Sequence, residues 1–187
     1  MADFYDQKKI ILIAFGIILL LSAVFVPAAV FYPAKVVSIT PEAEIVGTSV
    51  WSLVLGGGGM ALLAAALFIA AIVEKTLKAW LLSVAAAAIG LGAIALSLGD
   101  YYYMTSDRFT YNPPMSFASS TYEWEDFDRI EERLHQENGA SAIESIAYYF
   151  HDGSMVEFTG GRIFEMHGTM VRRVEAAGGQ YTRIPAQ

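Results

Sequence analysis

The chain has 187 residues, 55% of them hydrophobic, with no cysteine and a net charge of -7. This is too apolar for one soluble domain and suits a small membrane domain joined to a second domain of under about 100 residues. The acidic balance, without any Lys/Arg cluster, excludes nucleic acid as a partner, and the lack of Cys excludes disulfides, thiol chemistry and Cys-type zinc sites.

Lys8 and Lys9 close a short polar head, and residues 10–30 form an apolar run interrupted by Gly16, Ser22 and Pro27. A basic start before an apolar core also fits a secretory signal, with Pro27-Ala28-Ala29 as a cleavage site. The run exceeds a typical signal core, so the expectation is an uncleaved anchor. Residues 31–48 carry Pro33, Lys35, Pro41, Glu42 and Glu44 and read as a polar connection, with an extended piece over 36–39.

Residues 49–73 form the second span and contain Gly56-Gly57-Gly58-Gly59. Glycine disfavours a helix in water by about 1 kcal/mol per residue relative to Ala. In a bilayer the backbone must keep its internal bonds, so the run predicts a thin, closely packed or bent part of a helix. It lacks the Lys-Ser/Thr ending of a phosphate-binding loop.

The link 74–78 turns the chain into a third span over 79–98, which has no ionisable residue. About 20 apolar helical residues cross a hydrocarbon core of about 30 Å. Ala86 with Gly90, and Ala88 with Gly92, place small residues four apart for close helix packing. Trp80 and the cluster Tyr101, Tyr102 and Tyr103 flank this span and are expected at the two headgroup layers. The spans contain no charged residue of the kind that ion and proton pathways require, which argues against a channel or pump.

From Asp100 onward there are 14 acidic residues against 7 Arg and no Lys. Lys8, Lys9, Lys75 and Lys78 fall on one side of a three-span topology, so the N-terminus is expected in the cytoplasm and the tail outside. The predicted organisation is thus a three-helix transmembrane domain over 1–99 and a soluble α+β domain over 100–187.

In the tail, 101–105 and 108–111 are aromatic, β-branched runs around Ser106-Asp107 and predict a hairpin. Residues 119–124 predict a strand. Residues 125–136 read as a helix with Phe127, Ile130 and Leu134 on one face and Glu125, Asp126 and Asp128 in its first turn. The alternation over 144–150, followed by Asp152-Gly153 and 155–158, predicts a hairpin with a type I′ turn. Residues 162–177 predict a helix stopped by Gly178-Gly179, and 181–184 a last strand. Trp124 follows Tyr122 at strand spacing, which predicts a core side chain.

The segments Tyr103-Met104-Thr105-Ser106-Asp107-Arg108-Phe109-Thr110-Tyr111, Tyr122-Glu123-Trp124-Glu125-Asp126-Phe127-Asp128-Arg129-Ile130 and Tyr148-Tyr149-Phe150-His151-Asp152-Gly153 make the tail resemble the bacterial pleckstrin-homology-like domains of small YdbS-type membrane proteins. The resemblance covers roughly half the chain. It implies a curved antiparallel sheet closed by a C-terminal helix, with 162–177 in the helix's place. It also implies a cytoplasmic domain, against the outward placement that the Lys distribution gives.

Chemistry-bearing motifs are sparse. His151, Glu165 and His167 are the candidates for a metal site, at a spacing that matches no established ligand pattern. The nucleophile–base–acid patterns of covalent catalysis are missing, and the acids Glu123, Glu125, Asp126 and Asp128 fit a capped helix start. No catalytic residue and no cofactor is expected. The expected function is an interaction or scaffold module whose partners are the lipid bilayer and another membrane protein. The alternatives are a membrane-anchored metal-binding or hydrolytic domain and an accessory subunit of a transporter or sensor complex.

Overall fold

The computed structural model describes residues 2–73, 76–137 and 140–185. Glu74 and Lys75 of the link between the second and third spans therefore lie outside the described residues. The chain divides into two compact units. One holds the chain up to Ile39 together with Ser49–Asp100 and Pro113–Phe117, and the other holds Thr40–Thr48, Tyr101–Asn112 and the chain from Ala118 onward.

Three helical segments in the first unit are long and apolar enough to cross a membrane: Gln7–Ser38, Val50–Ile72 and Leu77–Gly99. The first is α1 (Ala2–Val26), one π-helical turn (Pro27–Phe31) and α2 (Tyr32–Ser38) in unbroken succession. The extended piece expected over 36–39 is helical up to Ser38. Pro27 and Pro33 do not end the helix: the π-helical turn that opens at Pro27 is the local irregularity at which the chain takes up the missing hydrogen bonds and runs on.

Close packing explains the glycine run in α3 (Val50–Ile72). A Cβ on Gly57 would lie 2.8 Å from the carbonyl of Ala23, four residues before Pro27, and one on Gly56 would meet Ser97 Oγ at 2.8 Å. Gly59 of α3 and Gly90 of α4 (Leu77–Gly99) face each other, and a Cβ on either would stand 2.6 or 2.7 Å from the other's carbonyl oxygen. Gly58 alone of the four meets open space. The backbones thus pack without side chains between them, the arrangement that small residues allow where lipid supplies no hydrophobic drive.

The second unit has two four-stranded sheets. One runs β1-β2-β3-β4, from β1 (Ile45–Gly47), β2 (Tyr101–Met104), β3 (Arg108–Asn112) and β4 (Ser120–Glu123). The other runs β7-β6-β5-β8, from β5 (Phe127–Glu137), β6 (Ala140–Phe150), β7 (Met155–Phe158) and β8 (Gln180–Ile184). All pairings are antiparallel except β5 with β8. Helix α5 (His167–Ala176), entered through a 3-10 turn at Arg162–Met166, separates β7 from β8 and buries Met170 and Val174. With Tyr102, Phe109, Phe127, Ile130, Tyr148 and Phe158 they form one aromatic-rich core.

Two expectations about this unit need correction. Residues 127–137 are a strand and not the end of a helix, and only Trp124–Asp126 is helical, as a 3-10 turn. A register shift between Phe127 and Arg129 puts Phe127 and Ile130 on one face three residues apart. The next inward position is Glu132, which is polar, so the apolar spacing 127, 130, 134 imitates a helix. The β6–β7 turn is also not type I′. Only Gly153 has positive φ, at 83°, and its N–H closes a turn on the Phe150 carbonyl at 2.9 Å, leaving His151 and Asp152 in ordinary conformations.

The loop between the first two spans does more than connect them. Its β1 pairs with β2 across two intervening helices, with Gly47 opposite Tyr102. A Cβ on Gly47 would fall 2.0 Å from the Tyr102 ring, so glycine is what lets that ring lie across β1. Trp124 is buried, as its spacing predicts, and donates from Nε1 to the Ser106 carbonyl at 2.7 Å.

The α3–α4 contact generates a sharp pair of variants. Gly90→Val forces a side chain into the Gly59 carbonyl and should destabilise the helical unit by about 1–3 kcal/mol, whereas Gly92→Val, which meets nothing within 4 Å, should leave the melting point in detergent unchanged. Equal melting of both variants would rule out this packing.

Candidate functional site

Two polar clusters stand out, one in each unit. In the helical unit, Lys35 of α2 is only 5% exposed, and Ser52, Ser97 and Asp100 are buried with it. Its ammonium donates to Ser52 Oγ at 2.6 Å and to the Asp100 backbone carbonyl at 2.6 Å. Ser52 Oγ donates to the Ser97 carbonyl at 2.8 Å, and Ser97 Oγ returns a bond to the Ser52 carbonyl at 2.7 Å. Ser49, which precedes α3, donates its hydroxyl to the Asp100 carboxylate.

Sequence reasoning missed this cluster because it read Lys35 as part of a polar loop. The signal was Ser52 and Ser97, single hydroxyls near the ends of two apolar spans. A buried ammonium is costly unless polar atoms meet it, and here the Ser52 hydroxyl and the Asp100 carbonyl do so. The arrangement braces three helical segments at one end of the unit.

In the sheet unit, the carboxylate of Glu132 on β5 is 1% exposed and serves as a common acceptor. His167 Nε2 and Tyr181 OH each lie 2.7 Å from its Oε2, and Arg183 Nε lies 2.9 Å from Oε1. His167 opens α5, while Tyr181 and Arg183 stand two apart on β8, so one inward carboxylate ties a strand, a helix start and the parallel edge strand together. Burial pushes the Glu132 carboxyl up, but the bonds from Tyr181, Arg183 and His167 outweigh it and hold it below its ordinary range. Tyr181 is raised, first by burial and then by its bond to Glu132.

The metal candidates separate. His167 is engaged by Glu132, with its buried Nδ1 facing no hydrogen-bond partner. His151 is exposed at the β6–β7 turn with Nδ1 4.0 Å from Asp128, and Glu165 pairs with Arg162 on the surface. Among the described residues no group of three His, Asp or Glu is placed to hold a metal. Of the acids expected at a capped helix start, Asp126 accepts from the Glu123 N–H in a local cap, while Asp128 pairs with Arg129 at 2.8 Å.

Of the aromatic residues expected at the headgroup layers, Trp80 is 62% exposed near the start of α4. Tyr101 and Tyr103 lie half-exposed on one face of β2 with ring centroids 6.2 Å apart. Tyr102 is a correction. It is 1% exposed, packs edge-on against Phe158 and accepts the Ile163 N–H at 3.0 Å, so its ring is unavailable to lipid. The cause is strand alternation, which turns every second ring of the Tyr run inward.

These features define a chain with three helices fit to cross a membrane and a sheet-rich unit containing a final helix. Comparison with family models, curated proteins and solved structures finds no match to the chain.

The Glu132 cluster makes stability pH-dependent in a stated direction. Its folded carboxyl titrates below its unfolded value, so its contribution is present above the ordinary carboxylate range of about 4 and is lost as pH falls through the lower folded value. Glu132→Gln should melt earlier at neutral pH and show a shallower acid decline, the remainder coming from Glu131 and Asp152, which are also held low. Superimposable curves for the two proteins would remove the cluster from the account.

Proposed function

We propose that this protein is a membrane-anchored interaction module that displays a small pleckstrin-homology-like sheet domain at the extracytoplasmic surface and engages another membrane protein through an open sheet edge. One observation carries the reading. β2 begins at Tyr101, directly after the residue that caps α4, and β1 comes from the loop between the first two spans, so the sheet domain is joined to the helices by short stretches of chain on both sides. A module that acts close to a bilayer needs such a short tether.

The two sheets and the helix after β7 support the pleckstrin-like assignment, and β8 and the distant origin of β1 are its departures. The edge strand β4 is mostly exposed, with Ser120, Thr121 and Glu123 open to solvent, and offers backbone groups to an added strand. A second reading, a hydrolytic tail, draws on the His167–Glu132 pair, which orients an imidazole as a general base requires. That pair also serves as an internal tie, with His167 mostly buried.

Two measurements test the proposal. A cysteine at Ser141, exposed on β6, should react with a membrane-impermeant maleimide on intact cells; reaction only after lysis reverses the orientation. A photo-crosslinking residue at Thr121 should yield one discrete adduct with another membrane protein, and that adduct should survive His167→Ala. An adduct-free membrane, or loss of function in a folded His167→Ala protein, would favour the hydrolytic reading.

A further inference from the structure

Pro113–Phe117, the first five residues of the connection between β3 and β4, are grouped with the helices and not with the strands on either side. Its position follows from register. Asn112 at the end of β3 pairs with Tyr101, and Tyr101 follows Asp100, the cap of α4. The connection therefore begins one strand pairing away from the residue that follows the α4 cap.

Its composition is out of keeping with the acidic tail. No charged residue occurs from 109 to 122, and the first part of the connection reads Pro113-Pro114-Met115-Ser116-Phe117. Ser116 N–H bonds the Pro113 carbonyl at 3.2 Å, closing a turn with Met115 at φ 65°, and the turn leaves Met115 65% and Phe117 73% exposed. An L side chain at positive φ is uncommon, and here the chain adopts it while presenting two large apolar groups.

Other exposed apolar residues of the helical unit stand at the same helix ends. Val37 in the last turn of α2 is 85% exposed, and Val50 and Trp51 in the first turn of α3 are 75% and 58% exposed. Trp80 marks the opposite end. From Trp51 to the end of α3 is roughly 32 Å at 1.5 Å per residue, close to the hydrocarbon thickness of about 30 Å. Exposed aromatic and apolar groups at both ends of such a length fit the interfacial layers.

We infer that the Pro113–Phe117 turn is a bilayer-contacting wedge: Met115 and Phe117 insert into the interfacial layer of the leaflet where α4 ends, and the occupant of this surface is lipid. The inference rests on the membrane-spanning reading of the three helices. It is independent of which protein the sheet edge engages. An uncharged turn is the part of an acidic domain that can approach a bilayer without the desolvation that carboxylates would suffer.

The unmodified chain, reconstituted in phosphatidylcholine vesicles, supplies the first test. Met155 is 50% exposed on β7 and Met115 is 65% exposed, so water access alone makes Met115 the faster to be oxidised by chloramine-T, an anionic oxidant. The wedge predicts the reverse order, with Met155 oxidised several-fold faster as read by mass spectrometry. Oxidation of Met115 as fast as Met155, or faster, overturns the inference.

The second test identifies the cover. In single-cysteine variants of this Cys-free chain, a fluorophore at Phe117 should be quenched by shallow spin-labelled lipid and little by aqueous iodide, and one at Asp152 should show the opposite. Shielding of position 117 from both quenchers means that protein covers the turn, which overturns the lipid assignment. A fluorophore at Leu91, in mid-α4, should be quenched by deep spin label. Its quenching by iodide would defeat the spanning reading and the wedge with it, whereas deep quenching at 91 alongside iodide access at 117 would defeat the wedge alone.

Discussion

A single ammonium group, buried where the helical unit ends, sets the condition that the neighbouring residues meet. Lys35 lies within a candidate membrane span and cannot be left without polar neighbours, because an uncompensated charge in an apolar bundle costs several kcal/mol. The bonds it makes settle local structure on three segments. The helix continues past Pro33 far enough to aim the side chain inward, Ser52 stands in the first turns of α3 as acceptor, and the carbonyl of Asp100 is presented where α4 closes. Ser97 and Ser49 complete the set by bonding across the same region.

The sheet unit repeats the logic with the opposite charge. Glu132 is buried as an acceptor, and it draws its donors from α5 and β8, which local sequence alone does not bring to β5. The loop residues 40–48 are fastened in the same manner: Arg173 of α5 bonds Glu44 at 2.7 Å and the Thr105 carbonyl at 2.8 Å, and Tyr102 bridges to Ile163. Each is a long-range polar contact that positions an element whose own apolar surface is small. β1, three residues long, depends on them most.

What the sequence revealed follows from this division. The three spans were legible because each contains an apolar run of about the length a bilayer demands, and the β2–β3 and β6–β7 hairpins because alternation and turn residues agree. Trp124 was legible as core. The elements that were misread are those with a charged residue facing inward. Lys35 made a helix look like a loop, and Glu132 made a strand look like a helix, because periodicity methods count a charge as an outward position. β1 left no signal beyond Gly47, whose need for a bare backbone becomes visible only when Tyr102, far along the chain, is laid across it. His151, Glu165 and His167 were named for their chemistry, and spacing could not show that their partners would be Asp128, Arg162 and Glu132.

The brace around Lys35 is the claim on which the description of the helical unit turns, and Lys35→Met tests it most directly, since Met keeps the length of the side chain and removes the donors. Thermal or denaturant unfolding of the full chain in detergent should show a loss of about 3 kcal/mol, with Ser52→Ala in the Met background adding much less than it does in the native protein. A Lys35→Met protein as stable as the native chain, with the Ser52→Ala effect unchanged between the two backgrounds, would contradict it.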